Sequence, residues 1–242
     1  LLLLSGIGPG ASLQPLGIEV QHDSPAVGRN LQDHLCIDHL YRAKVPSLNQ
    51  DLGTWWGRFR VGLQYLTGLR GPLAMSVNQG GGFIRTRPDL ARPDQQLYFS
   101  PLSYTRAVPG KRALMRPDSF PGFLLSAQPC RPTSRGHLRL KSADPRVPPM
   151  IFPNPLATEQ DITDLLEGSK FLRRLSAAPS LQAVIAEEMK PGPAIQTDDE
   201  LVADMRARGS SVFHPVSTCR MGPDARENVV DPTLKLHGLH GL

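Results

Sequence analysis

The sequence predicts an α+β protein built around an antiparallel sheet, and three observations carry that prediction. The chain has 24 prolines and 22 glycines among 242 residues, with no period and no low-complexity block, so it needs long connecting segments rather than the tight loops of a helical bundle. Short apolar runs at residues 97–100, 123–127 and 137–141 read as strands separated by proline-rich loops with no helical pattern, which favours antiparallel pairing over βαβ crossovers. Amphipathic helical faces are confined to a few segments that flank these runs.

The opening LLLLSGIGPG is an apolar run entering a turn at two glycines, with Pro9 suited to a first helical position. A short helix through Leu13 and Leu16 then stops at Gly17, and residues 18–20 read as a short strand. A polar loop GRNLQDH (28–34) leads into a strand at 36–43. From 54 to 69 the spacing of Phe59, Leu63 and Leu66 predicts a helix closed by Gly71-Pro72. Thr158 with Asp161 resembles a capping box, and Ile162, Leu165, Leu166, Leu172 and Leu175 mark one helical face behind it. Residues 181–189 suggest another helix. Thr197 and Glu200 form a full capping box ahead of Leu201, Val202 and Met205, with Gly209 as the stop.

Composition excludes several classes. Apolar residues at 40% and charged residues at 20% suffice for a packed core and are far from the pattern of disorder. The net charge of +5 comes from scattered basic residues interleaved with acidic ones, which argues against a nucleic-acid footprint. Cys36, Cys130 and Cys219 lie far apart with no CxxC pair, so neither a zinc site nor a disulfide framework is expected, and a reducing, cytoplasmic setting is the default. His237 and His240 have ligand-like spacing but no third partner, so no metal is expected. The start lacks a methionine, a positive n-region and an apolar run long enough for a signal peptide or a membrane span; it reads as the interior of a longer protein.

Four blocks bear on chemistry. These are LLLLSGIGPG with GRNLQDHL behind it; RGPLAMSVNQGGGFIR; SRGHLRLKSADPRVPPMIFPN with PGPAIQTDDEL; and FHPVSTCRMG followed by VVDP and LKLHGLHGL. In this order they resemble the glucose-methanol-choline oxidoreductases over nearly the whole chain, in particular choline-dehydrogenase-like members. Ser217 stands where many members have glycine.

The resemblance implies a substrate domain at 34–208, a partial piece of the FAD-binding α/β domain at 1–33, and a catalytic-histidine segment returning to it at 209–242. It implies that the two end segments lie side by side and that His214 opens near the 30–34 loop. His214 is then the general base in hydride transfer from an alcohol to flavin, since an imidazole titrating near neutrality can accept the hydroxyl proton. Pro215 biases the histidine toward an extended backbone. Asn30 and Thr218 are the implied cofactor-binding positions, although the 30–34 loop also reads as a plain polar turn. The cofactor is FAD. The partners are a small-molecule alcohol and the flavin-domain sequence that this chain lacks, because no Gly-rich GxGxxG fingerprint is present. The alternative is a non-catalytic binding module that keeps the substrate-domain fold.

Overall fold

The computed structural model describes residues 1–105 and 116–241, and these form two compact units. No helix among the described residues is long and apolar enough to cross a membrane.

The first unit gathers residues 1–34, 132–161 and 211–242. A 3-10 turn over Leu2–Ser5 ends at Gly6 in the left-handed region, φ 76. There a Cβ would lie 2.2 Å from the Glu19 carbonyl, so only glycine fits. The Gly6 carbonyl accepts the N–H groups of Gln21 and His22, and this moves the pairing strand from the expected 18–20 to His22–Asp23, parallel to Ile7–Gly8. Pro9 precedes the Gly10–Leu13 helix as its cap, and Gly17 at φ 74 ends the turn that follows. Leu3, Ile7, Leu13, Ala26, Val27, Val229 and Leu236 form one buried cluster, so the two end segments lie together.

Residues 132–161, read from sequence as part of the middle stretch, sit with these ends instead. Backbone hydrogen bonding explains the difference. Leu31 bridges Gly136, and the Gly28 carbonyl accepts from Leu138 at 2.8 Å while its N–H donates to Thr218 at 2.9 Å. Gly28 therefore joins all three segments at φ 81, where a Cβ would come within 2.8 Å of the Leu138 carbonyl. Replacing Gly28 by alanine is expected to cost about 2–4 kcal/mol, from left-handed strain plus the forced separation of these strands. Urea unfolding of the purified chain measures it, and an unchanged midpoint would refute the strain argument.

The second unit holds residues 35–131 and 162–210. Its sheet contains β1 (Leu35–Ala43), β2 (Gly80–Ile84), β3 (Gln95–Ser100), β4 (Gly122–Pro129) and β5 (Ile185–Lys190), in the order β5-β1-β4-β3-β2 with every pair antiparallel. The central β4 is buried at every residue, as expected for a strand with neighbours on both sides. Tyr41, Ala43, Phe123, Leu125, Ala127, Leu172 and Ile185 make its core.

The longer helices among the described residues that accompany the sheet are α1 (Trp55–Gly68), α2 (Glu159–Ser176) and α3 (Asp198–Arg208). Along α2, Leu165, Ser169, Leu172 and Ser176 are buried at three- and four-residue spacing. Gly168 lets the helix come close to the sheet, since a Cβ there would meet the Gln95 Oε1 at 2.7 Å and the Ala127 Cβ at 3.3 Å. The expected box at Thr158 is only half made. Thr158 Oγ1 accepts from the Asp161 N–H, but the Asp161 carboxylate turns to the Thr133 and Ser134 N–H groups. Burial works against the charge of that carboxylate, and the hydrogen bonds from Ser134 and Thr133 outweigh it and hold its pKa below the ordinary value. The box at Thr197 and Glu200 is complete, and Leu201 and Met205 are buried behind it.

One expectation fails in this unit. The helix read over 181–189 is one turn at Pro179–Gln182 followed by β5, because the edge of β1 offers backbone partners that outweigh helical propensity. The helix expected over 54–69 forms as α1, with its apolar row exposed: Phe59, Leu63 and Leu66 are 53%, 50% and 81% accessible, and Val61 is the buried residue. Periodicity marks an apolar face but does not supply a layer to cover it.

Candidate functional site

The site lies in the first unit, where the 30–34 loop meets the segment from Ser211 to Thr218. Gln32 and Val216 exchange backbone hydrogen bonds at 3.0 and 2.9 Å, and the Ser217 hydroxyl donates to the Gln32 Oε1 at 3.1 Å. This pairing carries His214 toward the loop. Asn30 at φ 62, Phe213 at φ 63 and Ser217 at φ 75 all occupy the left-handed region. That accounts for the glycine that many members of the resembling family carry in place of Ser217, since a Cβ is disfavoured there.

Asp33 fixes the junction. Its Oδ1 accepts the His34 N–H at 2.8 Å and the His214 N–H at 3.0 Å, and its Oδ2 accepts the Ser211 hydroxyl. The same Ser211 hydroxyl oxygen accepts the Phe213 N–H at 2.9 Å. One carboxylate thus holds the backbones of both histidines. Their rings meet edge to face with centroids 5.5 Å apart and the two Nδ1 atoms 3.3 Å apart. At that distance one ring presents an N–H and the other a lone pair. The His214 side chain is exposed, as are Phe213 and Val216 beside it in sequence.

The expected proximity of His214 to the 30–34 loop is therefore present. Asn30 is partly exposed one residue before the Leu31–Gly136 bridge, and Thr218 uses its carbonyl to accept from Gly28. His237 Nε2 donates to the Gly222 carbonyl at 2.9 Å, which gives the residue a structural use. Among the described residues no group of three or more His, Cys, Asp or Glu side chains is arranged to hold a metal. Asp33 escaped the sequence reading, because its partners lie about 180 residues away and nothing local marks it. A groove of about 520 Å³ in the second unit, lined by Asp51, Arg60, Val61 and Leu63 among others, contains none of these residues.

Whether the chain fits a flavin is answered differently at the two ends of that molecule. The exposed histidine with apolar Phe213 and Val216 suits the edge of an apolar ring system. The Gly6-Ile7-Gly8 turn is filled by its own chain, since the Gly6 position is crowded by Glu19 and the Gly8 position by Leu3. It offers no cradle for a pyrophosphate.

Comparison with known proteins places these features in a class. The fold matches that of formate oxidase from Aspergillus oryzae, with a TM-score of 0.85 and 26% identity over 99% of this chain and 46% of that one. It also matches pyridoxine 4-oxidase from Mesorbium loti, with a TM-score of 0.78 at 24% identity. Residues 132–242 match the GMC oxidoreductase family model, which begins where the chain re-enters the first unit. Over its whole length the chain is 40% identical to an alcohol dehydrogenase [acceptor] of Pseudomonas putida and 36% identical to an oxygen-dependent choline dehydrogenase of Serratia proteamaculans. Residues 132–242 thus carry the GMC oxidoreductase family's domain, and the chain is similar to members of that family over its whole length. It spans 43% and 42% of the length of those two relatives.

Proposed function

We propose that the chain contributes the substrate-facing unit and the proton-accepting histidine of an FAD-dependent enzyme that oxidises a small alcohol. The observation that carries this reading is the exposed His214 ring, held by Asp33 against His34 in the loop that the family resemblance assigns to the cofactor's neighbourhood. FAD, when bound, supplies the hydride acceptor.

The residues of this chain do the rest. His214 receives the hydroxyl proton on a ring nitrogen as the alcohol becomes a carbonyl, so the alkoxide need not form unaided. Asp33 keeps the histidine backbone in place through the Oδ1 hydrogen bond. Phe213 and Val216, both exposed beside the histidine, exclude water from the reacting hydroxyl once a ring system covers them. Asn30 and Thr218 are the positions that would hold the cofactor's ring end, and the pyrophosphate is held by sequence outside this chain.

The test is anaerobic reduction. In a protein extended to the length of its relatives, a small primary alcohol or choline is expected to bleach the yellow flavin absorbance stoichiometrically. A flavin that binds and stays oxidised across a panel of such alcohols would overturn the proposal.

A further inference from the structure

We propose that His34 is a positioning residue that keeps the His214 proton on Nδ1, leaving the lone pair of Nε2 as the nitrogen that accepts the alcohol proton. The inference rests on the reading of His214 as the base and adds to it which nitrogen acts and what selects it.

A neutral imidazole carries one proton on two nitrogens, and the 3.3 Å Nδ1–Nδ1 contact allows two arrangements. In one, His214 Nδ1–H donates to the His34 lone pair. In the other, His34 donates and the His214 Nδ1 lone pair is occupied, with the His214 proton on Nε2. Only the first leaves an acceptor nitrogen turned away from His34. It is also the arrangement that survives the reaction, because an imidazolium has protons on both nitrogens. Its Nδ1–H still donates to His34, now as a stronger charge-assisted bond, whereas the second arrangement would set two N–H groups against each other.

The contact is built into the fold, since Asp33 Oδ1 accepts the backbone N–H of both histidines. The carboxylate and the Gln32–Val216 backbone pair together hold the two segments side by side. That carboxylate is the charged group in direct hydrogen-bonded contact with both histidine backbones.

The readout is the protonation pattern itself, which needs no turnover and no cofactor. In the 15N-histidine-labelled 242-residue chain above neutral pH, long-range 1H–15N correlation is expected to show His214 protonated at Nδ1 and bare at Nε2. The His214→Gln spectrum assigns the signal. His34→Asn, whose Oδ1 accepts near the position of Nδ1, is expected to preserve the pattern, and His34→Phe to move the proton to Nε2. In the extended, flavin-loaded protein the Phe variant is expected to lose about 10–100-fold in kcat, as for other partners that orient a working histidine, and the Asn variant to regain most of it. A wild-type His214 protonated at Nε2, or a pattern indifferent to His34→Phe in a chain with native circular dichroism, would overturn the inference. Failure of the base reading shows separately, as undiminished turnover when His214 itself is removed.

Discussion

Replacing His214 by alanine is expected to lower alcohol turnover in the extended protein by about 10²–10⁴-fold while leaving flavin content unchanged. The magnitude is that of losing a general base, and the loss falls on kcat and kcat/KM together because the proton moves only in the transition state. The exposed side chain loses its contact with the His34 ring, while alanine retains the backbone N–H bond to Asp33. Unfolding stability is therefore expected to move by no more than about 0.5 kcal/mol. Stopped-flow flavin reduction and a urea titration decide it together. Undiminished reduction rates would remove His214 from the chemistry, and a collapse in stability would make it a structural residue.

The second large effect concerns stability in acid. His39 on β1 is fully buried in the second unit, with Nε2 2.9 Å from the Ser169 hydroxyl and Nδ1 3.5 Å from the Tyr41 hydroxyl. Burial, with Arg173 and Arg208 adding like charge, lowers its pKa from 6.5 to about 3. The unfolded chain thus binds a proton that the folded chain refuses. The neutral histidine's contribution is complete above pH 6.5 and declines as pH falls toward 3. By pH 4.5, before most carboxylates titrate, the loss amounts to about 3 kcal/mol. Urea midpoints between pH 7.5 and 4.5 measure it. His39→Gln, which cannot titrate, is expected to be less stable at neutral pH and to lose that part of the acid slope. Equal slopes for the two proteins would show that His39 is charged in the folded state.

Local signals were legible where the physics is local. The Thr197–Glu200 box formed as read because both partners lie within one turn of chain. Strands β3 and β4 matched because their apolar runs are bounded by prolines and turns. The meeting of His214 with the 30–34 loop followed from the family resemblance and not from any spacing in the chain. Other features depended on distant partners. Asp161 sits at the Glu position of a capping box, yet Thr133 and Ser134 bring N–H groups that a sequence window cannot see. Residues 185–190 became a strand because β1 has an edge to pair with. The apolar spacing on α1 was read as a helix and a helix formed, while whether that face is buried is decided by what packs against it.

The cluster that joins Leu3, Ile7 and Leu13 to Val229 and Leu236 has a consequence during synthesis. At about 5–20 residues per second, a ribosome takes roughly 10–45 s to travel from Leu13 to Leu236. Once they leave the exit tunnel, Leu2 and Leu3 stay without the side chains that will cover them until residues 229–236 emerge, after all of the second unit has been made. The nascent chain therefore carries these leucines uncovered until Val229 and Leu236 follow, and chaperone occupancy is expected to concentrate on residues 1–13.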